Sequence, residues 1–230
     1  MSAQNDWFWI GEGDKPALTL EAGVPGLFAE TLYPWDEVNA VGVDEAGRGC
    51  LAGPVCAAAV ILDRHRPIVG LNDSKQLSAH ERDALAEEIR AKALAWCVAW
   101  GSEAEIDTHN ILQATVLAMK RAVLGLTLKP TIVMIDGNYR PRGFPYPVTT
   151  LVEGDARVAQ IAAASILAKT SRDALMVDLD KTYPQYGFAQ HMGYGTRQHL
   201  AAIAQFGVTP IHRKTFKPIR DYLNEHTSEK

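Results

Sequence analysis

Val41-Gly42-Val43-Asp44-Glu45-Ala46-Gly47-Arg48-Gly49-Cys50-Leu51-Ala52-Gly53-Pro54-Val55 is the stretch whose reading decides the fold. A short β-branched run delivers two adjacent carboxylates to a point where the chain turns glycine-rich. Carboxylate oxygens suit a hard divalent cation such as Mg²⁺ or Mn²⁺. Glycines let backbone N–H groups approach a ligand closely. Arg48 adds a planar fork of donors that matches phosphate. The combination points to a metal that meets a phosphodiester. Two other readings stay open from the stretch alone. Gly47-x-Gly49-x-x-x-Gly53 is one residue longer than the dinucleotide fingerprint G-x-G-x-x-G, and Asp44 and Glu45 would repel a pyrophosphate unless a cation intervened. The stretch also reads as a tight turn with two solvated acids.

Working outward, residues 39–45 and 54–62 read as adjacent strands separated by the glycines. Asn72-Asp73-Ser74-Lys75 is a polar loop. Ser78 followed by Glu81 is a capping box, which predicts a helix to about residue 95 with Leu85, Ile89 and Leu94 on its buried face. A strand is expected over 96–101 and an amphipathic helix over 107–124. The β-branched run 131–135 ends at Asp136-Gly137, and the strand over 148–152 ends near Gly154-Asp155. A long alanine-rich helix should run from 157 to about 182, and a last helix over 196–206 closes at Gly207. Strands followed by alternating helix and strand imply an α/β fold, a mixed central sheet with helices packed on it.

Asp44, Glu45, Asp136 and Asp155 all fall at strand ends, where loops can vary while strands hold position. Considered singly, Asp155 also fits a helix N-cap and Asp136 a turn with its glycine. Neighbouring strand residues point to opposite faces, so Asp44 and Glu45 face one metal only if the strand ends at Asp44 or Glu45 reaches by its length.

With 47% apolar and 22% charged residues in 230, the chain is an ordinary globular one, large enough for a sizeable core. Cys50, Cys56 and Cys97 form no C-x-x-C pair, so neither a disulfide framework nor a zinc site is indicated. Early acids interrupt any signal-peptide core, and apolar stretches such as 161–168 are too short for a bilayer. A reduced, cytoplasmic chain with no membrane partner is expected, acting as a monomer. The net charge of −4 is unevenly spread. Residues 181–220 carry Lys181, Arg197, Arg213, Lys214, Lys217 and Arg220 with no acid, interleaved with Tyr183, Tyr186, Phe188, Tyr194, Phe206 and Phe216. That segment reads as a phosphate-tracking surface or as a solvated helix pair.

These residues resemble the ribonuclease HII family. Its opening motif stands here as Asp44 to Val55, with Cys50 in place of a proline. Asn72-Asp-Ser-Lys75, Ile106-Asp-Thr-His-Asn110-Ile-Leu, Ile135-Asp136-Gly137-Asn138, Gly154-Asp155, Ile161-Ala-Ala-Ala-Ser165-Ile-Leu-Ala-Lys169, Arg172-Asp173, Tyr183-Pro-x-Tyr186-Gly-Phe and His191-Met-Gly193-Tyr194-Gly-Thr196 follow in collinear order over about 39–217. Met192 and Gly195 stand where lysine and proline are common. The sister ribonuclease HIII family has Ser and Lys where Ala46 and Arg48 stand, and junction resolvases share scattered acids without the Gly-Arg-Gly element.

The resemblance implies a ribonuclease H-like fold with a C-terminal helical appendage: an extension at 1–38, a catalytic core at 39–182 and a substrate-binding segment at 183–230. It implies catalytic, metal-holding acids at Asp44, Glu45, Asp136 and Asp155, and two Mg²⁺ or Mn²⁺ ions serving in-line attack by water. Gly47, Arg48 and Gly49 would sense the ribose 2′-OH, Lys75 would contact phosphate, and Tyr194 would stack at the RNA–DNA junction. The implied substrates are RNA–DNA hybrids and duplex DNA with an embedded ribonucleotide, cut on its 5′ side to leave 3′-OH and 5′-phosphate ends.

Overall fold

The structure, a computed structural model, describes residues 39–227. The expected extension at 1–38 lies outside the described residues. A five-stranded sheet is built from β1 (Val41–Ala46), β2 (Val55–Ile61), β3 (Ala95–Gly101), β4 (Val133–Asp136) and β5 (Val148–Leu151), in the order β3-β2-β1-β4-β5. The pairings β1/β2 and β2/β3 are antiparallel, whereas β1/β4 and β4/β5 are parallel. The helices are α1 (Ala79–Lys92), α2 (Glu103–His109), α3 (Ile111–Leu124), α4 (Ala159–Thr182), α5 (Phe188–His191), α6 (Arg197–Phe206) and α7 (Lys217–Thr227). A mixed sheet flanked by helices is what the sequence pattern implies, and it is what the chain forms.

Alternation along the strands sorts side chains onto two faces. Val41, Val43, Ala57, Ala59, Val133 and Ile135 pack against Ala114, Ala118 and Met119 of α3. Cys56, Ala58 and Val60 pack on the other face against Ala162, Ala163 and Ile166 of α4 and Leu85 and Ile89 of α1. The strand β2, Val-Cys-Ala-Ala-Ala-Val-Ile, is therefore buried on both faces. Small residues bring α4 very near the sheet: a Cβ on Gly42 would lie 2.1 Å from the Gln160 backbone. A third cluster joins Leu51, Ala52 and Met176 to Tyr186, Phe188, Ile203 and Ile219.

The Ser78–Glu81 capping box is present in full at the start of α1, a feature worth about 1 kcal/mol. The helix expected over 107–124 is instead two. Asn110 takes φ 72° and ψ 164°, which breaks the helical path, while its side chain accepts from the Gln113 N–H and starts α3. A second capping box, Ser102 with Glu105, starts α2 earlier than the apolar pattern suggests. Leu94 is not on the buried face of α1; it lies past the helix end and is 46% exposed. The aromatics of 181–220 are divided between core and surface: Tyr186 and Phe188 are buried, Tyr183 and Phe216 are half-buried against the same cluster, and Tyr194 and Phe206 are exposed. Arg213, counted with the basic surface, is fully buried. Among the described residues no helix is long and apolar enough to cross a membrane.

Candidate active site

The three parallel strands carry acids to one edge. Val43 pairs with Ile135, so Asp44 on β1 stands beside Asp136 at the end of β4. Asp136 pairs with Leu151 on β5, after which a short 3₁₀ turn, Gly154–Ala156, returns Asp155 toward both. One oxygen from each of Asp44, Asp136 and Asp155 lies within 4.8 Å of the others. Two of the carboxylates are held by hydrogen bonds. The Glu45 N–H donates to Asp44 Oδ1 at 2.7 Å, and the Ser165 hydroxyl of α4 also bonds the Asp44 carboxylate. The Gly154 N–H donates to Asp136 Oδ1 at 2.7 Å.

Such crowding is unfavourable for anions. Burial, and then the Glu45 and Asp136 charges, push Asp44 well above the ordinary carboxylate range. Burial, with Asp136 and Asp73, pushes Asp155 up to about 6, against the opposing pull of Lys75. The Lys75 Nζ lies 3.8 Å from Asp155 Oδ2 and 3.7 Å from Asp73 Oδ1. Desolvation works against its charge, yet Asp73, Asp155, Asp44 and Asp136 together raise its pKa. Three convergent oxygen donors with mutual repulsion form a set that a hard divalent cation fits.

Glu45 is not brought into this triad. The strand continues through it, so it faces away from Asp44, and Arg48 donates to its Oε1 at 3.1 Å. Burial raises its pKa, Arg48 lowers it, and Asp136 is close enough to add to the rise. Glu45 therefore stands at the rim of the cluster.

Beyond β1 the chain forms a loop that two buried arginines hold from beneath. Arg172 on α4 donates from Nε to Pro54 O, from Nη1 to Met192 O and from Nη2 to Ala52 O, at 3.0, 2.9 and 3.0 Å. Arg213 donates from Nε to Gly53 O, from Nη1 to Arg48 O and from Nη2 to Gly47 O, at 2.9, 2.9 and 2.7 Å. The Leu51 N–H donates to Gly193 O at 2.8 Å, tying the loop to the turn that carries Tyr194. Gly47 has φ +91°, and a Cβ there would sit 1.9 Å from Arg172 Nε. Gly49 differs: a Cβ there would meet nothing nearer than the Tyr194 ring at 3.8 Å. The fold thus requires glycine at 47 but leaves open space at 49. Tyr194 is 46% exposed beside that space and is not a core residue.

A model of the ribonuclease HII family matches residues 41–219. The chain belongs to the ribonuclease HII family. It is 59% identical over 190 residues to ribonuclease HII of Chromobacterium violaceum, covering 83% of this chain and 96% of that protein. It is 60% identical over 182 residues to ribonuclease HII 1 of Methylibium petroleiphilum, covering 79% and 91%. Among solved structures, the ribonuclease H2 of Pyrococcus horikoshii superposes with a TM-score of 0.69 at 25% identity, covering 82% of this chain and 98% of that one. Membership makes the protein a hydrolase of the ribonuclease H class, from a family of metal-dependent endoribonucleases acting on RNA–DNA hybrids.

Within this ribonuclease HII, the sequence pattern assigns no role to Ser165, Asp73 or Arg172, and it places Arg213 on a phosphate-tracking surface where the fold instead buries it. Arg172 lies inside a matched motif with no role attached to it. Its signal is a lone arginine one turn beyond an alanine-rich helical run, a place where only a charge with many acceptors is tolerated.

Proposed function

We propose that this ribonuclease HII cleaves the RNA strand of RNA–DNA hybrids and cuts duplex DNA on the 5′ side of a single embedded ribonucleotide, leaving 3′-OH and 5′-phosphate ends. The observation that supports this reading is the placement of the Asp44–Asp136–Asp155 cluster at the foot of a glycine-rich loop whose position 49 has room that the fold does not use. Asp44, Asp136 and Asp155 would hold Mg²⁺ or Mn²⁺, with Glu45 completing the set from the rim. Bound there, the metal supplies Lewis acidity to the attacking water and to the leaving 3′ oxygen.

The chain's own groups do the rest. Ser165 and the Gly154 N–H keep two carboxylates aimed at the cluster centre. Lys75, 77% exposed at its side chain, is free to exchange Asp155 for a substrate phosphate. The backbone at Gly47, Arg48 and Gly49 reads the 2′-OH, the group that separates RNA from DNA. The exposed Tyr194 ring stacks on the sugar that follows.

The test is to map the cleaved bond on a duplex carrying one ribonucleotide, in Mg²⁺ and in Mn²⁺, with a four-way DNA junction as control. A single cut 5′ of the ribonucleotide is expected. Cleavage of the junction, or no cut at the embedded ribonucleotide, refutes the proposal.

A further inference from the structure

Arg172 and Arg213 are 1% and 0% exposed, and neither forms a salt bridge among the described residues. Burying a guanidinium without a carboxylate is costly, so its donors must be met in some other way. Here they are met by backbone carbonyls. Three of those carbonyls, on Gly47, Arg48 and Gly53, accept from Arg213. Burial first, and then the nearby Arg172 charge, pull Arg213 down to about 10, so it keeps its proton at neutral pH.

The peptide geometry turns this anchoring into an orientation. In a trans peptide the C=O and the following N–H point in opposite directions. Drawing Gly47 O and Arg48 O inward onto one guanidinium turns the N–H groups of Arg48 and Gly49 outward. Both residues are exposed, and neither N–H finds an acceptor among the described residues. Two successive outward N–H groups make a small concave donor site. It opens beside the carboxylate cluster and under the Tyr194 ring, 3.8 Å from where a Gly49 Cβ would stand.

Arg213 is itself fixed by its neighbours. Asp107, at the end of α2, accepts from the N–H groups of Lys214 and Thr215 at 3.0 and 2.9 Å and from the Thr215 hydroxyl at 2.8 Å. The Arg213 N–H donates to Leu51 O at 2.9 Å, and the Arg213 guanidinium lies over the Phe216 ring. The fork is thus pre-set before any ligand arrives, and a lysine could not reproduce its planar geometry.

We infer that Arg213 is the positioning residue for sugar selectivity: it holds the Gly47 and Arg48 carbonyls so that the N–H groups of Arg48 and Gly49 face the ribose 2′ oxygen. This rests on the reading that the loop backbone senses the sugar. The test uses the full chain in Ca²⁺, with affinities for two duplexes differing only in one ribonucleotide. Arg213→Met should lower the preference for the ribonucleotide duplex by at least about tenfold, the scale of a misaimed pair of hydrogen bonds. The salt slope of binding should not move, because Arg213 touches no phosphate. Arg213→Lys keeps the charge and should lose about threefold or more; it decides the matter where Arg213→Met does not fold. A preference unchanged in a folded variant, or equal weakening on both duplexes, overturns the role of Arg213. A wild-type protein that does not distinguish the duplexes overturns both that role and the sugar reading beneath it.

Discussion

Alanine placed at Gly47 and at Gly49 should have opposite consequences. At Gly47 the backbone sits at φ +91° and the new methyl would lie 1.9 Å from Arg172 Nε and 2.4 Å from its Cδ. The left-handed backbone costs roughly 1–2 kcal/mol for a residue with a Cβ, and overpacking a filled site costs roughly 1–3 kcal/mol. Gly47→Ala should therefore lose about 2–5 kcal/mol, which for a chain of this size lowers Tm by roughly 4–20 °C. At Gly49 there is neither a left-handed φ nor a contact nearer than 3.8 Å. Gly49→Ala should hold its Tm or gain about 0.4–1 kcal/mol, because it restricts the unfolded chain. Its methyl nevertheless fills the space where a sugar must approach, and a displacement of about 1 Å costs on the order of a hundredfold in rate. The assay is a thermal melt paired with single-turnover cleavage of an RNA–DNA hybrid. A Gly49→Ala protein that cleaves within threefold, roughly, of wild type refutes close backbone approach at this loop. A Gly47→Ala protein with an unchanged Tm refutes the packing argument.

Three further outcomes are expected. Asp136→Asn keeps an oxygen for the Gly154 N–H but loses a charge from the cluster, so cleavage in Mg²⁺ should nearly vanish while duplex binding in Ca²⁺ persists; near-normal turnover would remove Asp136 from the metal set. Tyr194→Ala should slow cleavage at a single ribonucleotide by one to two orders of magnitude, roughly, with Tm little changed because the ring is exposed, and Tyr194→Phe should be mild. His212 is pulled down to about 4 by burial and by His199, which burial also lowers. Both rings are neutral in the fold, so the stability they contribute is complete above about pH 6.5 and is lost as pH falls toward 4, roughly 3 kcal/mol from His212. His212→Gln should show a smaller Tm fall than wild type between pH 7.5 and 4.5, and identical falls would refute this, since the raised Asp44 and Asp155 act oppositely in both proteins.

What could be read from the sequence follows from which interactions are local. The Ser78–Glu81 box, the buried run of β2 and the Gly207 stop are set by residues within a few positions of one another, and each element forms where its signal stands. The break at Asn110 is also local, but an asparagine inside an apolar period carries no mark until its backbone is seen at φ 72°. The convergence of Asp44, Asp136 and Asp155 is legible because each lies toward, at or just past the end of one of three parallel strands of one sheet. The face taken by Glu45 follows from strand alternation, and Arg48 holds it there. Arg213 is where composition misleads. Counted among basic residues, it reads as a phosphate contact; its acceptors are carbonyls in a distant stretch that no charge pattern reveals.

The anchoring of the loop also has a kinetic side. The Arg213 bonds to Gly53, Arg48 and Gly47 span 160, 165 and 166 residues of chain, and those of Arg172 to Pro54 and Ala52 span 118 and 120. The β1/β2 hairpin around the same loop closes over ten residues, from Ala46 to Cys56. Closing the long spans costs entropy that only a largely assembled protein repays. During refolding the sheet should therefore regain its circular dichroism before the protein regains its preference for a ribonucleotide, leaving a short-lived species that has its carboxylates in place and cannot yet tell one sugar from the other.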